Sequence, residues 1–339
     1  MPHRQQGVGT FTGIMAEIAS RLNFTHRRLL RFAPYRFLVG LGHSHRFLIG
    51  VPYLWLTLFF LIPFLIILRI SFTEAAIASP PFSDLLEWID DGLLQITVNF
   101  QNYMEIWEDG IYIHAYLNSV KIAFFSTLLT LMIGYPIALA MSRASKKWQL
   151  FLLMLVILPF WTSFLIRIYA WITILSPTGV LNNFINWVGM GIGLIDPNSP
   201  VTLHILHTDF AVYIGIVYGY LPFMILPLFA TLIKIDDTLV EAALDLGSPP
   251  LKTFWTITFR LSLPGVLAGC FLVFIPAIGE FVIPDLLGGS NVTMIGKVLY
   301  DTYLQGMNLP LVSAISVILL LIVIIPIYIF NRIQAKQFN

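Results

Sequence analysis

Charge is scarce in this chain. Asp, Glu, Lys and Arg make up 11% of its 339 residues, against 58% hydrophobic residues. Soluble domains carry about a quarter of their residues charged, so this shortage, with a mean hydropathy of +0.83, excludes an ordinary water-soluble fold. Cysteine is nearly absent. The one thiol, Cys270, lies in a hydrophobic run, which excludes an intramolecular disulfide or a cysteine-built metal cluster and leaves a small packing residue. Lys and Arg are missing from residues 71–113, which hold eight carboxylates: Glu74, Asp84, Glu87, Asp90, Asp91, Glu105, Glu108 and Asp109. A nucleotide site is missing too. The stretch NVTMIGKV at 291–298 lacks the first glycine of a phosphate loop and the Ser or Thr after Lys297. His204 and His207 have a chelating spacing but no third ligand nearby, so neither metal nor cofactor is expected. No nucleophile–base pair stands within the hydrophobic runs, and no enzyme is expected. No nucleic-acid partner is expected either.

What is present are six apolar runs, each of roughly 20 residues or more, enough to cross a hydrocarbon core of ~30 Å. They lie near 47–70, 116–141, 150–175, 210–233, 264–286 and 310–330. Pro63, Pro136, Pro159, Pro222, Pro276 and Pro326 fall inside them, as a bundle tolerates when neighbouring helices satisfy the freed carbonyls. Gly134, Ala138, Ala140, Gly215, Gly219, Ala268 and Gly269 offer points of close helix approach.

The basic residues are sorted by side. The first 46 residues, the 142–149 loop, the central loop (Lys234, Lys252, Arg260) and the tail (Arg332, Lys336) hold fifteen of the nineteen. The positive-inside bias then places both termini and the central loop in the cytoplasm and the acidic 71–113 loop outside. Three parts follow: a basic cytoplasmic segment 1–46, a six-span domain 47–331, and a cytoplasmic tail 332–339. Residues 11–38 mix arginines with Phe, Leu and Ile; a segment lying on an anionic leaflet and a disordered basic tail fit them equally.

The organising stretch is Asp236–Gly265, a polar island between two spans. Leu239, Ala242, Ala243 and Leu246 recur at helical spacing, so a short amphipathic helix is predicted over 238–246. Asp236 or Asp237 suits its N-cap, Gly247 its left-handed end, and Pro249–Pro250 the start of a second helix. An apolar stripe on a cytoplasmic loop needs a partner to cover it.

Glu241-Ala242-Ala243, with Gly247 six residues after Glu241 and Ile257 ten after Gly247, resembles the EAA loop of ABC-transporter permeases. Glu74-Ala75-Ala76 has the same letters but meets Pro80 where the glycine belongs. Arg260 departs from the pattern, standing where many members of the family have proline. Leu263-Pro264-Gly265 follows, so a bend into the next span is expected there. The stretches 158–171, 179–189, 207–228, 274–289 and 294–300 further resemble the polyamine (putrescine/spermidine) branch, the putrescine permeases above all.

The resemblance implies an all-α membrane fold, the six-helix transmembrane domain of a type I ABC importer. It gives Glu241, Ala242, Ala243, Asp245 and Gly247 the role of coupling to an ATPase. Its implied partners are a second permease subunit forming a heterodimer, an ATPase dimer, a periplasmic polyamine-binding protein and the polyamine itself. The bacterial inner membrane and its lipid are the expected setting.

Charges inside the spans single out Arg167 and Glu280. Counted along their helices, both reach about 25 Å from the cytoplasmic end at ~1.5 Å per residue. Two readings stay open: an ion pair between them, or Glu280 facing a cationic substrate. Asp285, near the outer mouth, is a second pathway candidate. Trp161 has the ring to hold an ammonium, although helix packing is the commoner use of such a residue. An ion-coupled secondary carrier is the competing function, and it would use Glu280 and Arg167 as a relay. Such carriers are often built from inverted repeats, and none is evident here.

Overall fold

The structure is a computed structural model and describes residues 45–76, 80–89, 93–196 and 199–337. The readings made for residues 1–44, and for Asp90 and Asp91, lie outside the described residues. The chain divides into two compact units between Ile66 and Ile67. The first is helical: α1 (His45–Leu56) passes through a π turn at Thr57–Leu61 into α2 (Ile62–Ile70), whose last residues belong to the second unit.

The second unit begins with a hairpin, β1 (Leu86–Ile89) against β2 (Leu93–Ile96), antiparallel with Leu86 opposite Ile96. Leu86-Glu87-Trp88 and Leu94-Gln95-Ile96 alternate around Asp91-Gly92, a hairpin signal that the reading of this stretch as a solvated acidic loop passed over. Then come α3 (Gln101–Glu108), α4 (Gly110–Ser142), α5 (Lys146–Ile157), α6 (Phe164–Leu175), α7 (Val180–Gly191) and α8 (Asp209–Leu232). The loop helices α9 (Asp237–Asp245) and α10 (Pro250–Thr253) lead through a π turn into α11 (Phe259–Ile278), and α12 (Ile295–Gly306) and α13 (Leu309–Gln337) complete the chain. Apart from that hairpin and a single antiparallel bridge between Ala75 and Phe82, the regular structure among the described residues is helical.

Six helical stretches are long and apolar enough to cross a membrane: Ile49–Ile70, Gly110–Ser142, Phe164–Gly191, Asp209–Leu232, Pro250–Ile278 and Leu309–Tyr328. Two expected spans are broken. The third does not run unbroken from 150 to 175. A 3-10 turn at Leu158–Trp161 and extended backbone at Thr162 and Ser163 interrupt it, with the Thr162 hydroxyl donating to the Pro159 carbonyl at 2.8 Å. The fifth stops at Ile278, with Gly279 as its C-cap, rather than continuing to 286.

Helix α8 is the centre of the second unit, packed between α4 and α11. Met224, Ile225 and Leu228 meet Tyr135, Ala138 and Val273 in one core cluster. Ile216 and Val212 meet Ile122, Ile168, Ile278 and Ile283 in another. Small residues set the spacing: a Cβ on Gly269 would lie 2.7 Å from the Met224 sulfur. At the end bearing α12, the Ser119 hydroxyl of α4 accepts from the Ile295 amide at 2.7 Å, and the Tyr116 hydroxyl donates to the Ile315 carbonyl at 2.7 Å.

Candidate functional site

The loop after α8 forms as its sequence predicts. Asp236 is the N-cap of α9, its carboxylate accepting from the Thr238 amide at 3.0 Å. That charged hydrogen bond holds the Asp236 carboxyl below the usual carboxylate range. At the other end Gly247 has φ +82°, its amide donates to the Leu244 carbonyl at 2.9 Å, and the Ser248 amide donates to the Ala243 carbonyl at 3.1 Å. This pair of bonds is a Schellman ending, which needs a left-handed residue at that position.

Glu241, Ala242, Asp245 and Gly247 are exposed and Ala243 half-buried. Leu246, 90% exposed, is the most open apolar side chain of the loop. The bend expected at Leu263-Pro264-Gly265 is not a helix end: Pro250–Ile278 is one 29-residue helical stretch containing the π turn Phe254–Thr258. The second arm of the loop is therefore the start of the fifth span. Whatever moves α9 and α10 has a continuous helix leading to Glu280.

Glu280 sits just beyond the end of α11 and is 9% exposed. One carboxylate oxygen, Oε1, accepts from the Val282 amide at 3.1 Å and the Ile283 amide at 3.4 Å, capping the helical turn that follows the break. The other, Oε2, accepts from the Tyr220 hydroxyl of α8 at 2.5 Å. Gly296 of α12 lies against the Gly279 and Glu280 carbonyls, and Phe281 stacks on Tyr300 of α12 at 4.9 Å.

Of the two readings left open for Glu280, the ion pair with Arg167 is not formed in this structure. Arg167 follows the break at Ser163, and its guanidinium lies over the rings of Phe160 (5.7 Å) and Phe164 (5.6 Å). Two of its nitrogens, Nε and Nη1, are buried without a hydrogen-bond partner. Similar depth along unbroken helices would let the two meet, but the break after Ile278 turns the Glu280 carboxylate onto its own next turn and towards α8. No Lys or Arg pairs with Glu280 among the described residues.

Asp285 is not free: it pairs with Lys297 at 3.5 Å, and Lys297 also donates to the Gly289 carbonyl. Trp161 does not pack between helices, being 85% exposed in the broken third span. His204 and His207 are both exposed, and no group of three or more metal-ligating residues occurs among the described residues. Tyr220 was missed altogether. The available signal was a phenol in an apolar helix, which needs a hydrogen-bond partner when buried.

Comparison with known proteins agrees with this architecture. Residues 130–338 match the family described as binding-protein-dependent transport system inner membrane component. The spermidine/putrescine transport system permease protein PotB of Haemophilus influenzae is 37% identical over 284 residues, 84% of this chain and 92% of that protein. PotB of Escherichia coli K12 is also 37% identical, over 82% of this chain and 93% of its own length. Among solved structures, a chain of a bacterial ABC transporter importing the acidic polysaccharide alginate superposes with a TM-score of 0.59 at 18% identity. It covers 88% of this chain and 99% of its own. At that identity the likeness concerns the fold, which is that of a type I ABC importer's transmembrane domain.

The secondary-carrier reading is thereby set aside. Systems of this family join the membrane component to a binding protein and a separate ATPase, so the chain is a transport subunit rather than an enzyme. This chain belongs to the binding-protein-dependent transport system inner membrane components, as a multi-pass permease subunit of an ABC importer.

Proposed function

We propose that this permease imports a polyamine of the putrescine/spermidine class, with Glu280 as the group that meets its ammonium. Supporting the substrate class are the names of the relatives at 37% identity. The observation that carries the reading is the buried Glu280 carboxylate, which no Lys or Arg neutralises among the described residues. A buried anion without a counter-ion is costly, and a passing cation would relieve that cost. The tyrosine and phenylalanine rings near it suit both the ammonium and the methylenes of such a ligand. Asp285, held by Lys297, is a weaker contact, and exposed Trp161 is left to face the pathway or a neighbouring subunit.

In this reading both termini and the α9–α10 loop are cytoplasmic, residues 47–331 form the permease domain, and 1–46 and 332–339 flank it. Glu241, Ala242, Ala243, Asp245 and Gly247 dock onto one ATPase of a dimer. A second, non-identical permease completes the pathway, and a polyamine-binding protein delivers from the periplasm. The test is uptake of radiolabelled putrescine and spermidine into vesicles carrying the complete transporter. Uptake of either, dependent on ATP, is expected. Uptake without ATP would overturn the coupling, and indifference to both polyamines would overturn the substrate class.

A further inference from the structure

The two oxygens of Glu280 are held by groups of different kinds. Oε1 accepts from two backbone amides, Val282 and Ile283, and giving these up would uncap the turn after the break. Oε2 is held by a single side-chain donor, the Tyr220 hydroxyl at 2.5 Å, and a side chain can turn away without altering the backbone. Oε2 is therefore the oxygen whose partner can be displaced without unwinding the turn, and Tyr220 is the group a ligand would have to replace.

The Tyr220 ring also begins an aromatic row. Phe223 lies 6.0 Å from it, and Phe160 lies edge-on to Phe223 at 5.1 Å. The row leads from the carboxylate to the break in the third span, as a wall along which methylenes would lie.

We propose that Tyr220 is a specificity-determining positioning residue, and that substrate enters by exchanging an ammonium N–H for the Tyr220 O–H on Glu280 Oε2. The inference rests on the Glu280 reading above. The exchange keeps Glu280 hydrogen-bonded at every stage, so the empty pathway never holds a bare buried carboxylate. It also selects for charge. A neutral donor gains nothing over the phenol it displaces, whereas an ammonium forms the stronger charge-assisted bond. The cost of displacing Tyr220 keeps the site weak enough to release its cargo.

The test uses the detergent-purified complete transporter without its binding protein, with equilibrium binding of radiolabelled putrescine as the readout. Tyr220→Phe removes the competing donor and keeps the ring. Binding about tenfold tighter is expected, equivalent to about 1.4 kcal/mol, with a lower maximal uptake rate because release slows. A residue serving only to pack the bundle would not tighten binding when altered. Tyr220→Leu, which also lacks the donor, is expected to tighten binding too, but by less than Tyr220→Phe because it loses the ring that begins the aromatic row.

Unchanged or weaker binding in both variants overturns the exchange, as does failure of both to assemble, which would make Tyr220 a packing residue. Glu280→Gln separates the two levels of the argument. If it leaves putrescine binding unchanged, the Glu280 reading itself falls. If it weakens binding while Tyr220→Phe has no effect, only the role of Tyr220 falls.

Discussion

Gly296 of α12 is set so close to the break after α11 that a Cβ there would lie 2.6 Å from the Glu280 carbonyl oxygen and 2.4 Å from that of Gly279. Both obstructing atoms are backbone, which cannot rotate aside as a flexible side chain would. The Gly279–Glu280 break is thus held from two directions: α12 presses on its carbonyls, and Tyr220 of α8 grips its carboxylate.

Gly296→Ala is therefore expected to destabilise the protein by about 1–3 kcal/mol, the usual range for forcing an extra methyl into a packed site. Thermal unfolding of the purified protein checks this. An unchanged unfolding temperature would mean that α12 withdraws freely from the break.

At Gly247 the constraint is conformational. Nothing lies within 4 Å of a Cβ built there, yet φ is +82°. Gly247→Ala is expected to cost about 1–2 kcal/mol from left-handed strain alone, and Gly247→Val more. Glu241→Lys leaves the exposed helix intact and reverses its charge. Both Gly247→Val and Glu241→Lys are expected to insert normally and to lose at least tenfold in ATP-dependent uptake. Normal uptake by both would remove the coupling role from α9.

Arg167 and Glu280 share no contact, so their replacements should not compensate each other. Glu280→Gln keeps an oxygen for the Val282 amide, removes the charge and puts an NH2 donor where Oε2 accepted from Tyr220. Its stability change and that of Arg167→Gln are expected to add within about 0.5 kcal/mol in the double variant. Recovery of stability in the double variant, measured by thermal unfolding, would show that the two pair in another state of the protein.

The Asp236 cap carries a pH signature. Its carboxyl is held below its ordinary value of 3.8 by the hydrogen bond from Thr238. A lowered folded-state pKa stabilises above the ordinary value, and the contribution fades as pH falls through the folded value. Protection of the Thr238 amide from hydrogen exchange, after correction for intrinsic rates, is expected to fall on acidification from pH 5 to about pH 3. Asp236→Asn, which keeps an acceptor without the titration, should show a flatter profile.

Several features were legible in local sequence because local physics decides them. Six spans follow from the length of apolar runs, though not their ends. The α9 helix follows from an Asp cap, a four-residue apolar rhythm and a glycine stop, and it is present over Asp237–Asp245. Orientation, too, was argued from where Lys and Arg are allowed to be. The hairpin Leu86–Ile96 was legible too, in Asp91-Gly92 between two short alternating stretches, but the run of carboxylates drew the reading to a solvated loop instead.

By itself, then, the sequence determined a six-span membrane subunit with an exposed, capped loop helix between two spans, since hydropathy and capping act over a few turns of chain. Only the tertiary structure decided what each intramembrane charge meets. Tyr220 and Glu280 are sixty residues apart, and their bond depends on how α8 is rotated and where α11 stops. Arg167 rests on Phe160 and Phe164 because the third span breaks at Ser163. Counting residues along ideal helices places such groups at a depth, but partners are chosen by rotation about the helix axis and by breaks in it, and neither is written in the spacing.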